Sequence, residues 1–346
     1  KVAQIEDHIP EDDITHIISG ESLYISAGWV DLRADFCDPG FEHKEDVQSG
    51  LDAAAAGGFT HVLTVPSTDP VIDNKGQIQY LLQQAAGHVV KLHPIGAITK
   101  ELKGESLAEL YDMYSCGVRL FSDDQKAVNA GIALRALKYI QNFGGRIVIY
   151  PNDTSISAGG MVNEGFASTR TGLKAMPSIA ETIQIQRDLG LLDYTESALH
   201  FAGISCAESV QLIREAKSKG YDVTCDVHLD NLIFKEENLI DFDVHYKVKP
   251  PLRSEKDRDA LWAGLQDGTI DAIVSNHRPL DTEETELEFD HAGFGNIHLQ
   301  TFFATLLREN RLELSQLIEI LSSNTRKIAG IAVNPINIGS QLDATV

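Results

Sequence analysis

The sequence predicts an α/β fold, a (β/α)8 TIM barrel, on three observations. Eight short runs are apolar at nearly every position, as strands are when both faces are covered. Amphipathic stretches lie between them, several stopping near glycine as helices do. No G-x-G-x-x-G follows the first run, so the main signature of a doubly wound open sheet is missing.

In chain order the expected strands are Tyr24–Val30, Thr60–Val65, Lys91–Ile98, Gly117–Phe121, Arg146–Tyr150, Ala198–Ile204, Asp222–Val227 and Ala272–Val274. The helical stretch Asp46–Ala56 stops at Gly57-Gly58, and Ala127–Asn142 stops at Gly144-Gly145. Ser178–Asp188 and Ala207–Lys219 also end near glycine, and Arg253–Gln266 and Leu314–Ser322 complete the set. Residues 28–331 are therefore expected to form the barrel. Residues 1–27, with short strands over Val2–Ile5 and Ile14–Ile18, join residues 332–346 in a partial β-domain.

Composition narrows the function. The 346 residues carry 29 basic against 51 acidic side chains, a net charge of −22 that repels polyphosphate and argues against nucleic acid as a partner. No apolar run reaches the ~18 residues a membrane span needs, and the first residues lack the apolar core of a signal peptide. Cys37, Cys116, Cys206 and Cys225 are widely spaced with no C-x-x-C pair, as expected of reduced thiols in a cytoplasmic protein.

Barrel chemistry sits where strands end. The first run leads into Asp31-Leu32-Arg33-Ala34-Asp35-Phe36-Cys37-Asp38-Pro39-Gly40, and the second into Pro66-Ser67-Thr68-Asp69. Others lead into Ser122-Asp123-Asp124, Tyr150-Pro151-Asn152, Gly203-Ile204-Ser205, Val227-His228 and Ser275-Asn276-His277-Arg278-Pro279. With these stand Phe41-Glu42-His43-Lys44-Glu45, Lys249-Pro250-Pro251-Leu252-Arg253, Asp267-Gly268-Thr269-Ile270-Asp271 and Phe294-Gly295-Asn296-Ile297. In this order the motifs resemble the dihydroorotases of the amidohydrolase superfamily, the class of the long bacterial and multifunctional-complex enzymes, across nearly the whole chain.

The resemblance implies reversible cyclisation of carbamoyl aspartate to dihydroorotate in pyrimidine biosynthesis. One or two zinc ions make the nucleophile and an aspartate acts as general acid and base. It also locates the site. The family's H-x-H pair falls on Arg33 and Asp35, and its bridging carboxylate on Asp124. Its two further histidines fall on Tyr150 and Gly203, and the aspartate of its Asp-His-Ala-Pro-His pattern on Asn276. The arginine that grips the substrate carboxylate falls on Cys37 and its partner asparagine on Ser67. A guanidinium is no metal ligand and Gly203 has no side chain, so zinc is expected from the family but not from these residues. Arg33 is expected to take the place of the metal's charge and to pair with Asp124, Asp35 or both.

Several residues carry two readings. His228 and His277 are either catalytic or ligand-contacting groups, or hydrogen-bonded histidines at strand ends. Asp123-Asp124 is either a carboxylate pair for acid/base work or a salt bridge or turn cap. The Cys37 thiol is a nucleophile only if its pKa falls, and nearby Asp35 acts against that. The acidic run 281–290 reads as a solvated loop or as a lid. Three functions follow: a non-catalytic dihydroorotase homologue serving as scaffold or partner subunit, with aspartate transcarbamoylase as the partner; an active dihydroorotase with an unusual site; or a small-ligand binding module. The family habit is a homodimer.

Overall fold

In the computed structural model, residues 2, 5, 20, 23–333 and 335–346 are described. Eight of its strands form a barrel: Trp29–Ala34 (β1), Phe59–Thr64 (β2), Lys91–Pro94 (β3), Leu120–Ser122 (β4), Arg146–Ile149 (β5), Leu199–Phe201 (β6), Val223–His228 (β7) and Ala272–Val274 (β8). Neighbours in sequence pair in parallel from β1 to β3 and from β4 to β8. Two bridges complete the ring: Gly96 with Phe121 joins β3 to β4, and Ala34 with His277 joins β8 to β1. Asp31 locks the second seam, accepting from Ser275 N at 3.0 Å and Ser275 Oγ at 2.5 Å.

Each expected run carries one barrel strand, with two notable shifts. The run Tyr24–Val30 divides at Gly28. Ser26–Ala27 pairs antiparallel with Ala344–Thr345, while β1 begins at Trp29 and runs on to Ala34. A side chain at Gly28 would meet Thr60 Oγ1 at 2.1 Å, so only glycine lets β1 approach β2 here. β3 ends at Pro94, after which Ile95 N still donates to Thr64 O at 2.9 Å and Gly96 bridges to Phe121.

Several helices start where side chains can satisfy their first N–H groups. Asp46 and Ser49 form a capping box before Val47–Ala56. Asn129 caps Ala130–Ile140, which moves that start three residues past the expected Ala127. Ile179–Thr195 runs beyond the expected Asp188, because exposed Gly190 is carried within the helix. Lys75–Gln84, Leu110–Ser115 and Phe302–Glu309 are further helices.

Two apolar layers hold the ring. Val30, Leu32, Leu63, Ile95, Leu120, Val148 and Val274 fill the interior. Phe121, Ile147, Phe201, Val227 and Ile273 face outward against Leu51, Ile132, Leu192 and Ile213 of the helices. Fully burying each such side chain contributes about 1.5–3 kcal/mol, which is what makes runs apolar on both faces fold this way.

The floor of the barrel is tied to the chain's last residues. Buried Arg326 donates to Gly28 O at 2.8 Å and to Asp343 Oδ2 at 3.0 Å. His61 Nε2 lies 2.8 Å from the same Asp343 oxygen, and His61 Nδ1 lies 2.7 Å from His93 Nε2. Val2 exchanges backbone hydrogen bonds with Gly339 and Ser340. The strand expected over Ile14–Ile18 lies outside the described residues, as do residues 3 and 4 of that over Val2–Ile5.

Candidate functional site at the mouth of the barrel

The mouth is organised around one carboxylate. Asp124 follows β4 in the left-handed region (φ 53°) and is buried. Its Oδ1 lies 2.6 Å from Arg33 Nη2. Its Oδ2 accepts from Arg278 Nη2 at 2.7 Å and from Ser67 Oγ at 2.8 Å. Arg33 stands in β1, whose pairing with β2 shifts register between Asp31 and Ala34. The shift lets both Leu32 and Arg33 border the barrel interior. Arg33 Nε donates to Asn276 Oδ1 at 2.9 Å, which ties β1 to the end of β8.

Arg33 thus meets one of its two expected partners. Asp35 does not pair with it. Asp35 lies past the end of β1, where its Oδ1 accepts from Cys37 N at 3.0 Å and its Oδ2 lies 3.2 Å from Arg278 Nε. The sequence reading missed Arg278. The signal was present: Arg278 is the third residue of Asn276-His277-Arg278, where the family pattern has alanine.

The charges reinforce one another. Burial pushes the Asp124 carboxyl up, but Arg33 and Arg278 outweigh it and hold the group well below the usual carboxylate range. Burial likewise acts against the Arg278 cation, and Asp124 and Asp35 more than reverse it.

The other candidates separate. Asp123 turns away from Asp124 and accepts from Ile98 N and Thr99 N, each at 2.9 Å, and from Thr99 Oγ1 at 2.5 Å. The two neighbours are a turn cap and an ion-pair partner, with no facing acid/base pair. Burial, then Asp35, pushes the Cys37 thiol far above its ordinary value, so no thiolate nucleophile forms there. Tyr150 is buried just beyond β5, and burial with Glu181 keeps its phenol protonated. His277 has both nitrogens engaged, Nε2 with Glu45 Oε2 at 2.7 Å and Nδ1 accepting from His298 N at 3.3 Å.

Gly203 and His228 belong together. A side-chain carbon at Gly203 would come 2.5 Å from His228 Nε2, so the β7 imidazole fills the space over the β6 strand end. Burial and Arg33 lower the His228 pKa to about 4, leaving a neutral ring. The run 281–290 is held at both ends. Lys44 Nζ lies 2.7 Å from Glu284, and Lys247 Nζ donates to Phe289 O at 2.5 Å and Ala292 O at 2.7 Å. Below it opens a cavity of about 220 Å³, lined by Asp35, Phe41, Lys44, Ser67, Arg278 and Phe294 among others.

The family model described as Dihydro-orotase-like matches residues 23–209. A dihydroorotase of Syntrophotalea carbinolica is 40% identical over 100% of this chain and 82% of its own length. The chain is a member of the dihydroorotase family. A second dihydroorotase, from Desulfotalea psychrophila, is 37% identical over 93% of this chain and 78% of its own. Among solved structures, the L-hydantoinase (dihydropyrimidinase) of Arthrobacter aurescens superposes with a TM-score of 0.81 at 24% identity. That match covers 93% of this chain and 75% of the other, and supports the amidohydrolase-type barrel.

Zinc, implied by the dihydroorotase family, does not fit the residues at the mouth of this member. The positions on which the sequence resemblance is expected to place the family's ligands present a guanidinium, a carboxylate already held by Arg278 and Cys37 N, a phenol, a bare glycine and an amide held by Arg33. The retained Asp124 spends both oxygens on arginines. No such set offers the nitrogen and sulfur donors zinc takes.

Proposed function

We propose that this dihydroorotase-family barrel has given up metal-dependent ring chemistry and acts in pyrimidine biosynthesis as a non-catalytic scaffold or partner subunit. The partner is aspartate transcarbamoylase, the setting is the cytoplasm, and the chain itself pairs as a homodimer. One observation carries this reading: Arg33 and Arg278 grip Asp124 from either side, which supports guanidinium groups taking the place that the resemblance assigns to the metal. An arginine pair neutralises the carboxylate as a dication would, yet supplies no hydroxide nucleophile. Asn276, at the place of the family's general base, cannot take a proton and is tied to Arg33.

The reading is tested by dihydroorotate hydrolysis with the purified chain supplied with zinc. Metal activation and the general base are each worth ~10²-fold or more. Turnover is expected to lie several orders below the ~1–10³ s⁻¹ of ordinary enzymes. A rate within that range would end the non-catalytic reading. Co-sedimentation with aspartate transcarbamoylase is expected to give a faster-moving complex, and independent sedimentation of the two would remove the partner.

A further inference from the structure

One flank of the barrel carries exposed aromatic rings around a half-buried hub. Phe143, just past the helix Ala130–Ile140, packs against Tyr111, Tyr114 and Tyr139 with ring centres 5.6, 4.9 and 5.5 Å away. Tyr111 and Tyr139 are exposed. Tyr194, in the neighbouring helix Ile179–Thr195, is 69% exposed, and the Lys138 ammonium lies 4.7 Å from its ring centre. Arg135, Lys138 and Tyr139 are all exposed, and their spacing of three and four residues puts them on one helix face. Among the described residues, neither Arg135 nor Lys138 has an ion pair. Beside this ridge opens a hollow of about 370 Å³, lined by Asp193, Glu196, Tyr221 and Asp222 among others. Ridge and hollow are built together. Ser197 Oγ donates to Leu137 O at 2.8 Å, and Gln141 Nε2 donates to Thr195 O. Asp193 accepts from Tyr221 Oη at 2.6 Å and Asp222 pairs with Arg146 at 2.8 Å, whereas Glu196 has no ion pair among the described residues.

The flank therefore holds both halves of one contact: rings with free cations, and a hollow with a free carboxylate. Tyrosine buries a large ring at little entropic cost, which suits it to an interface. Charge selects the occupant. An acidic partner would leave the carboxylates of the hollow unmatched, and a basic one the cations of the ridge. Two copies of this chain, each of net charge −22, repel at a distance, so their contact is favoured where cations of one meet carboxylates of the other. A twofold axis makes that match twice, because each copy gives what it receives. We propose that this flank is the surface on which two copies of the chain meet, the Lys138–Tyr139 ridge of each seated in the Glu196 hollow of the other. The proposal rests on the homodimer reading and adds its surface.

Sedimentation equilibrium of the whole chain and its variants tests the surface. The parent is expected to be a dimer. Lys138→Glu sets like charges against Glu196 at both symmetry-related contacts and is expected to weaken dimerisation at least about tenfold. Glu196→Lys is expected to do the same against Lys138. The double variant Lys138→Glu/Glu196→Lys reverses each contact and should return to within a few-fold of the parent, a rescue that damage to the fold would not show. Lys256→Glu, at an exposed position on another helix, should dimerise as the parent does. A parent that stays monomeric would end the homodimer reading and this surface with it. A dimeric parent with single variants that dimerise equally well would leave the homodimer standing and overturn the surface. So would a double variant as weak as either single one, or a Lys256→Glu chain weakened as much as Lys138→Glu.

Discussion

Asp124 is shared by two guanidinium groups, and that sets what each substitution costs. Arg33→Met leaves Asp124 with Arg278 and Ser67, so the carboxylate keeps a counter-charge. The expected loss is about 1–2 kcal/mol, below the ~3–5 kcal/mol of stranding a buried charge. Asp124→Asn instead leaves Arg33 without its carboxylate while Arg278 keeps Asp35, and stranding Arg33 should carry the full ~3–5 kcal/mol. Urea midpoints of the two variants check the order, and a larger effect at Arg33 would mean that Arg278 does not stand in for it. Arg33 was legible in the sequence because residues of opposite charge fell on one family site. Arg278 was not, because it replaces an alanine at a position with no ligand role.

At the scale of elements, a strand at the centre of a barrel announces itself while a surface helix need not. Strands β4, β5 and β8 are apolar throughout or nearly so, since side chains on each face meet either the interior or a helix. Lys75–Gln84 buries only Ile78 and Leu81, and its polar remainder hides the helical period. Leu110–Ser115 is too short to show one. The β2–β3 pair carries a pH prediction. Burial, then the stacked His61, lowers the His93 pKa to about 4 from the ordinary 6.5. A histidine kept neutral in the fold binds its proton more readily in the unfolded chain, so stability is complete above pH 6.5 and falls as pH drops towards 4. Between pH 7 and 5 this one group should cost about 2 kcal/mol. Denaturant titrations at both pH values should show His93→Gln losing about that much less than its parent, and an equal loss would refute it.

Across the whole molecule, distant ends of the sequence meet at the two ends of the barrel. At the floor, Arg326 and His61 hold Asp343, and Ser26–Ala27 pairs with Ala344–Thr345. Asp343 is held well below the usual carboxylate range, first by its hydrogen bond from His61. Arg326→Met should therefore loosen residues 343–345 as a unit before it unfolds the barrel. Hydrogen exchange is expected to quicken there by at least about tenfold while the β5–β6 amides keep their protection. Uniform quickening across the chain would show that the clamp serves global stability instead. Sequence patterning did not foretell this clamp, because its members lie far apart and each looks ordinary alone.

Gly203 and His228 constrain one another. Placing a histidine at position 203 would drive a new carbon to 2.5 Å from the His228 ring, on a backbone at φ +68° that side chains avoid. The His228 ring, which already lies in the field of Arg33, would have to move aside. Any side chain larger than glycine at 203 therefore meets steric resistance from His228. A side chain at 203 thus calls for a compensating change at 228, so the two positions are expected to tolerate substitution only as a pair.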